Sequence, residues 1–92
     1  MHTRIEPVLD GILHAAGCGE QMVYDDRAEA YACRCRREKI PAVTAHQQTL
    51  TWLGRIGLAH RQPDLTRECL QRCEVETVIV QRGQVVEGVR AR

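Results

Sequence analysis

Residues 18–39, CGEQMVYDDRAEAYACRCRREK, hold three of the chain's five cysteines and admit two readings that exclude each other. As a β-hairpin, residues 22–24 turn through Asp25-Asp26 and return over 28–35. Strand side chains alternate, so Tyr31, Cys33 and Cys35 then share one face. As a helix, Asp26 and Glu29 form a capping pair, and Ala28, Tyr31, Ala32 and Cys35 make an i, i+3, i+4, i+7 stripe that stops before Pro41. A helix turns about 100° per residue, which sends Cys33 and Cys35 about 200° apart. Only the hairpin lets both thiols serve one site.

Upstream, Ile5, Val8, Leu9, Ile12, Leu13 and Ala16 recur at helical spacing, which predicts a helix over about residues 4–16. Thr3 and Glu6 stand at capping-box spacing, Pro7 falls in the first turn and Gly17 supplies the stop. After Pro41 a second helix is expected over 42–55, presenting Val43, His46, Leu50 and Leu53 on one side, with Trp52 and Ile56 extending that surface. Gly54, Gly57 and Pro63 break the pattern, and Asp64 is placed to cap a short helix carrying Leu65, Cys69, Leu70 and Cys73. The tail alternates Val75, Thr77 and Ile79 and, across Arg82-Gly83, Val85 or Val86 and Val89, a β-hairpin pattern. The expected architecture is a single α+β domain over 1–92: three to four short helices, a zinc-ribbon-like hairpin near 18–36 and a C-terminal β-hairpin.

Ninety-two residues hold one core, and a chain this short leaves a thin stability margin when its core is aliphatic. Here Phe is absent and Trp52, Tyr24 and Tyr31 are the only aromatic residues, so reinforcement by a metal, a partner or self-association is expected. Thirteen basic against twelve acidic residues give net +1, which excludes a global field that would pull the chain onto nucleic acid or anionic lipid; any such attraction is local. Twelve of the basic residues are Arg, suited to bidentate contacts with phosphate or carboxylate, although a GC-rich genome produces the same bias. An odd number of cysteines without a signal peptide argues against a secreted disulfide framework and for reduced thiols in the cytoplasm. No apolar run approaches the length of a membrane span.

Cys18, Cys33 and Cys35 are the candidate metal ligands, with His14, one helical turn before Cys18, as the fourth. Zinc prefers four S or N donors in a tetrahedron, and thiolates from a turn and a short hairpin build such a site. The competing reading makes these thiols small buried hydrophobes. Cys69 and Cys73, at i, i+4, suit apolar packing, and His46 and His60 lack a partner at ligand spacing.

The run LDGILHAAGCGEQMVYDDRAEAYACRCRREKI, residues 9–40, resembles the zinc β-ribbon module of large serine recombinases. In that module a leucine-rich lead-in meets Cys-x-x-Cys-Gly, a Met, a Tyr-x-Cys strand and a last Cys before a helix. Cys18-Gly19, Met22, Tyr31-x-Cys33 and Cys35 match it, as do Leu9, Ile12 and Leu13 in the lead-in. Ala15 stands where the first Cys belongs, so metal binding on this pattern recruits His14 or is lost, and the gap between the last two cysteines is short. The C-terminal TRECLQRCEVETVIVQRGQVVEGVRAR is more loosely similar to the helix and valine-rich hairpin that end such recombinases. The resemblance implies a DNA-contacting accessory and not strand cleavage, since the chain contains no Ser.

On that implication Arg34, Arg36 and Arg37 face phosphates, where each contact adds salt-dependent affinity and little sequence readout; otherwise they form a solvated face paired with Glu29 and Glu38. The order of helix 42–55, helix 64–73 and hairpin 75–90 also suits a winged helix-turn-helix, with Arg67, Arg72 and Gln71 reaching base edges and Arg82 touching the backbone. Cations beside Cys33 and Cys35 make redox chemistry conceivable, but no Cys-x-x-Cys, Gly-rich phosphate loop or His-Glu-x-x-His helix accompanies them. The expectation is therefore a non-enzymatic regulatory protein of phage or mobile-element type that engages nucleic acid or a nucleoprotein complex. The alternative is a protein-binding inhibitor or adaptor, of the kind phages use against host defence, docking through hairpin edges that also suit a homodimer.

Overall fold

The computed structural model describes residues 6–57 and 65–90. In chain order it contains β1 (Leu13–Ala15), β2 (Val23–Asp25), β3 (Ala30–Ala32), β4 (Lys39–Pro41), α1 (Ala42–Arg55), α2 (Arg67–Arg72), β5 (Val75–Gln81) and β6 (Gln84–Arg90). The strands form two three-stranded sheets, ordered β1-β5-β6 and β2-β3-β4. The expectation of three to four helices is thus corrected. Among the described residues there are two, one of them six residues long, and β-structure predominates.

The predicted first helix is the main error. Thr3 and Ile5, which open it, lie outside the described residues, and residues 8–12 form turns. Gly11 sits at φ +88°, which a right-handed helix does not accept. Beyond it Leu13 and Ala15 alternate into the core from a parallel pairing with β5, Leu13 opposite Val78 and Ala15 opposite Val80. The apolar spacing of Val8, Leu9, Ile12 and Leu13 fits a turn followed by a strand as well as it fits a helix, and burial against β5 decides between them. The pairing is anchored at both ends, Val78 N–H donating to Ile12 O (3.0 Å) and Ala16 N–H to Val80 O (2.8 Å).

Residues 23–41 fold as antiparallel strands and not as the helix that residues 26–39 also allowed. Asp25 drives the first reversal: its Oδ1 accepts from the Arg27 and Ala28 N–H groups (3.0 and 3.4 Å), and Glu29 takes positive φ. Tyr24 then opposes Tyr31, and Tyr31 opposes Ile40. The second reversal, residues 33–38, is closed by Cys33 N–H to Glu38 O (3.1 Å) and Arg36 N–H to Cys33 O (2.9 Å).

Pro41 stands at the N-cap of α1, whose buried stripe is Ala42, Ala45, Thr49 and Leu53; Val43, expected inward, is 51% exposed. Small residues at positions 42 and 45 let the helix lie close to the sheets. Asp64, the expected cap of the next helix, lies outside the described residues, and Thr66 caps α2 by accepting from Cys69 N–H (3.0 Å). The β5–β6 hairpin turns at Arg82-Gly83 with both residues at positive φ, the twist that matches flanking strands. Val78 and Val80 of β5, the central strand, are fully buried and join Leu9, Leu13, Met22, Tyr31, Ile40, Leu53 and Leu70 in one core cluster fed by both sheets.

Candidate metal centre

Cys18 sits on the turn that follows β1. That turn is pinned by Gly19 N–H to Ala15 O (2.8 Å) and Ala15 N–H to Glu20 O (2.9 Å), and Met22 N–H returns to Leu13 O (2.8 Å). Cys33 directly follows β3 and Cys35 lies in the reversal it opens. The two loops converge, so that the Sγ atoms of Cys18, Cys33 and Cys35 all lie within 4.8 Å of one another, and those of Cys33 and Cys35 are 3.1 Å apart. A tetrahedral zinc with Zn–S of about 2.3 Å sets its sulfurs about 3.8 Å apart. The cluster brackets that spacing, and a small opening of the Cys33–Cys35 pair completes the fit. Three close cysteines on two loops can therefore hold a metal ion.

The local environment prepares these thiols unequally. Burial pushes the Cys33 thiol up, but hydrogen bonds from the Cys35 thiol, the Glu38 N–H (3.3 Å), Cys18 and the Arg37 backbone favour its thiolate and bring it down to about 7. At Cys18 the Glu20 backbone favours the thiolate, whereas desolvation and the neighbouring Cys33 and Cys35 outweigh it and hold the thiol up at about 11. Cys33 therefore ionises more readily than Cys18.

His14 does not join. It is the middle residue of β1, its ring Nδ1 lies 3.2 Å from Ile12 O, and it falls outside the three-sulfur group. The reason is the strand: without the helical turn expected between positions 14 and 18, the two side chains no longer stack. Ala15, buried at 1% exposure, stands three residues ahead of Cys18 where the ribbon pattern has its first Cys. Cys69 and Cys73 are both buried in the core; burial, then the charge of Cys73, raises the Cys69 thiol, the behaviour of packing residues.

Arg34, Arg36 and Arg37 are exposed on the Cys33–Cys35 loop, and among the described residues no ion pair engages them. Glu38, expected as their partner, instead accepts from the Gly83 N–H. Arg67 and Arg72 are occupied at the surface by Glu6 (3.6 Å) and Glu68 (3.1 Å). With six residues, about 9 Å long, α2 is also short for a groove-reading helix. His60 lies outside the described residues.

Two features escaped the sequence. An open cleft of about 710 Å³, lined by Glu20, Gln21, Val23, Arg34 and Cys35, adjoins the thiols. The Tyr31 hydroxyl, in the core, accepts from Leu9 N–H (3.2 Å) and lies 2.7 Å from His46 Nε2. Neither partner of Tyr31 stands at a recognisable sequence spacing from it. Among the described residues no helix is long and apolar enough to cross a membrane. No family model, curated protein or solved structure matches the chain.

Proposed function

We propose that the chain is a small non-catalytic binding protein of the cytoplasm in which Cys18, Cys33 and Cys35 hold zinc, thereby fixing the loop that presents Arg34, Arg36 and Arg37 to nucleic acid or a nucleoprotein complex. The observation that carries this reading is the convergence of three sulfurs within 4.8 Å, two of them on a loop whose arginines are exposed. Zinc bound there exchanges loop entropy for a fixed spacing of three cations. With a net charge of only +1, attraction to a polyanion is concentrated on this one loop.

A salt titration of the zinc-loaded protein against duplex and single-stranded DNA tests it. Three phosphate contacts predict log affinity falling with log salt at a slope of about −2 to −3, and replacing the three arginines by Gln flattens that slope. Salt-independent binding, or none, contradicts the reading. It would favour instead a protein-binding adaptor or inhibitor, for which the supporting observation is β6, an edge strand bearing Val86 and Val89 at 52% and 45% exposure.

A further inference from the structure

Zinc takes four donors, and among the described residues three sulfurs are all that the cluster supplies. Cys33 is buried and closes the core side, while Cys35 is exposed and belongs both to the sulfur cluster and to the cleft lined by Glu20, Gln21, Val23 and Arg34. Cys35 thus places the sulfur cluster at the edge of an open cleft of about 710 Å³, room enough for a small molecule. Zinc accepts sulfur as its fourth donor as readily as nitrogen. Arg34 on the same wall offers the planar fork that fits a carboxylate, and Glu20 disfavours a ligand of higher negative charge.

Building on the zinc reading, we infer that this cleft binds a small thiol bearing one carboxylate, its sulfur completing the metal tetrahedron and its carboxylate on Arg34. On binding, the thiol proton passes to the buffer as a sulfur lone pair enters the coordination sphere in place of solvent; nothing is oxidised or reduced.

The test uses the full chain loaded with Co(II), whose sulfur-to-metal charge-transfer absorption reports the number of thiolates. Mercaptoacetate is the probe, with mercaptoethanol and acetate as controls, and retention of the cobalt is checked by dialysis. The charge-transfer absorbance should rise by about a third, from three sulfurs to four, with cobalt still protein-bound. Mercaptoacetate should bind at least about threefold more tightly than mercaptoethanol, acetate should leave the band unchanged, and Arg34→Gln should erase the preference for the carboxylate. A cobalt–thiolate spectrum that mercaptoacetate leaves unchanged, or cobalt extracted by the probe, overturns the inference and leaves the metal centre standing. Equal affinity for the two thiols overturns the role of Arg34. Failure to form any cobalt–thiolate band overturns the metal reading and this inference together.

Discussion

The amide of Gly83 donates to Glu38 Oε1 at 2.7 Å, joining the tip of the β5–β6 hairpin to the loop that carries Cys33 and Cys35. Glu38 faces both ways: its N–H donates to Cys33 Sγ and its carbonyl accepts from Cys33 N–H. Hydrogen bonds to charged groups are worth about 1.5–3 kcal/mol. Glu38→Ala should accordingly lower the unfolding free energy read from urea denaturation by an amount in that range and weaken zinc binding, while Glu38→Gln, which keeps an acceptor, should retain most of both. Unchanged stability and zinc affinity in Glu38→Ala would show that the Gly83 contact is idle.

Gly88 on β6 lies directly under the indole of Trp52. A Cβ added there would meet Cη2, Cζ3 and Cζ2 of the ring well inside contact distance. Gly88→Ala should therefore cost about 1–3 kcal/mol and shift the emission of the chain's single Trp. An unchanged melting temperature and emission maximum would mean that α1 does not pack on β6 through this pair.

Burial lowers the His46 pKa below its ordinary 6.5 and pushes the Tyr31 hydroxyl up to about 12, so at neutral pH an uncharged hydroxyl and an uncharged imidazole share the 2.7 Å hydrogen bond. Below pH 6.5 the unfolded chain binds a proton at His46 before the folded chain does. Stability from this pair is complete above 6.5 and is lost as pH falls toward the folded value. Denaturation midpoints measured from pH 7.5 to 5 should decline in the native protein and decline less in His46→Gln. Parallel curves would remove His46 from the account. Tyr31→Phe, which strands Leu9 N–H, should cost about 1–3 kcal/mol at pH 7.5.

Ala15 and His14 separate two ways of completing the metal site. Ala15 lies in the core at 1% exposure, whereas the fourth position is inferred to open on the cleft, so Ala15→Cys should lower stability by overfilling its site and leave zinc affinity unchanged; a tightening of about tenfold would instead place the fourth vertex at position 15. His14→Ala should leave zinc affinity unchanged. A large loss of affinity in His14→Ala would return that histidine to the ligand set.

The legible parts of the fold were those whose period has one interpretation. Val75, Thr77 and Ile79 followed by Arg82-Gly83 signal a hairpin because alternation and turn chemistry agree. The span 42–55, opened by Pro41, coincides with α1, although its buried face was misjudged because small residues, Ala42 and Ala45, carry it. The first helix failed because β1 owes its existence to β5, some sixty positions downstream, and a long-range parallel pairing leaves no local trace. Cys33 and Cys35 were expected to meet as alternate residues of one strand, but β3 stops at Ala32 and the reversal over residues 33–38 brings them together instead. The cleft beside them and the Glu38–Gly83 contact arise from tertiary closure alone.

The direct test of the central claim is elemental analysis of the purified chain for zinc, combined with its melting temperature before and after chelator. Structural zinc contributes about 10–16 kcal/mol to small zinc-dependent folds at four ligands, and a three-sulfur site supplies a substantial part of that. One zinc per chain, with chelation lowering the melting temperature by more than about 10 °C, is the predicted result. A chain without zinc that melts at the same temperature with and without chelator would contradict it and return Cys18, Cys33 and Cys35 to ordinary packing.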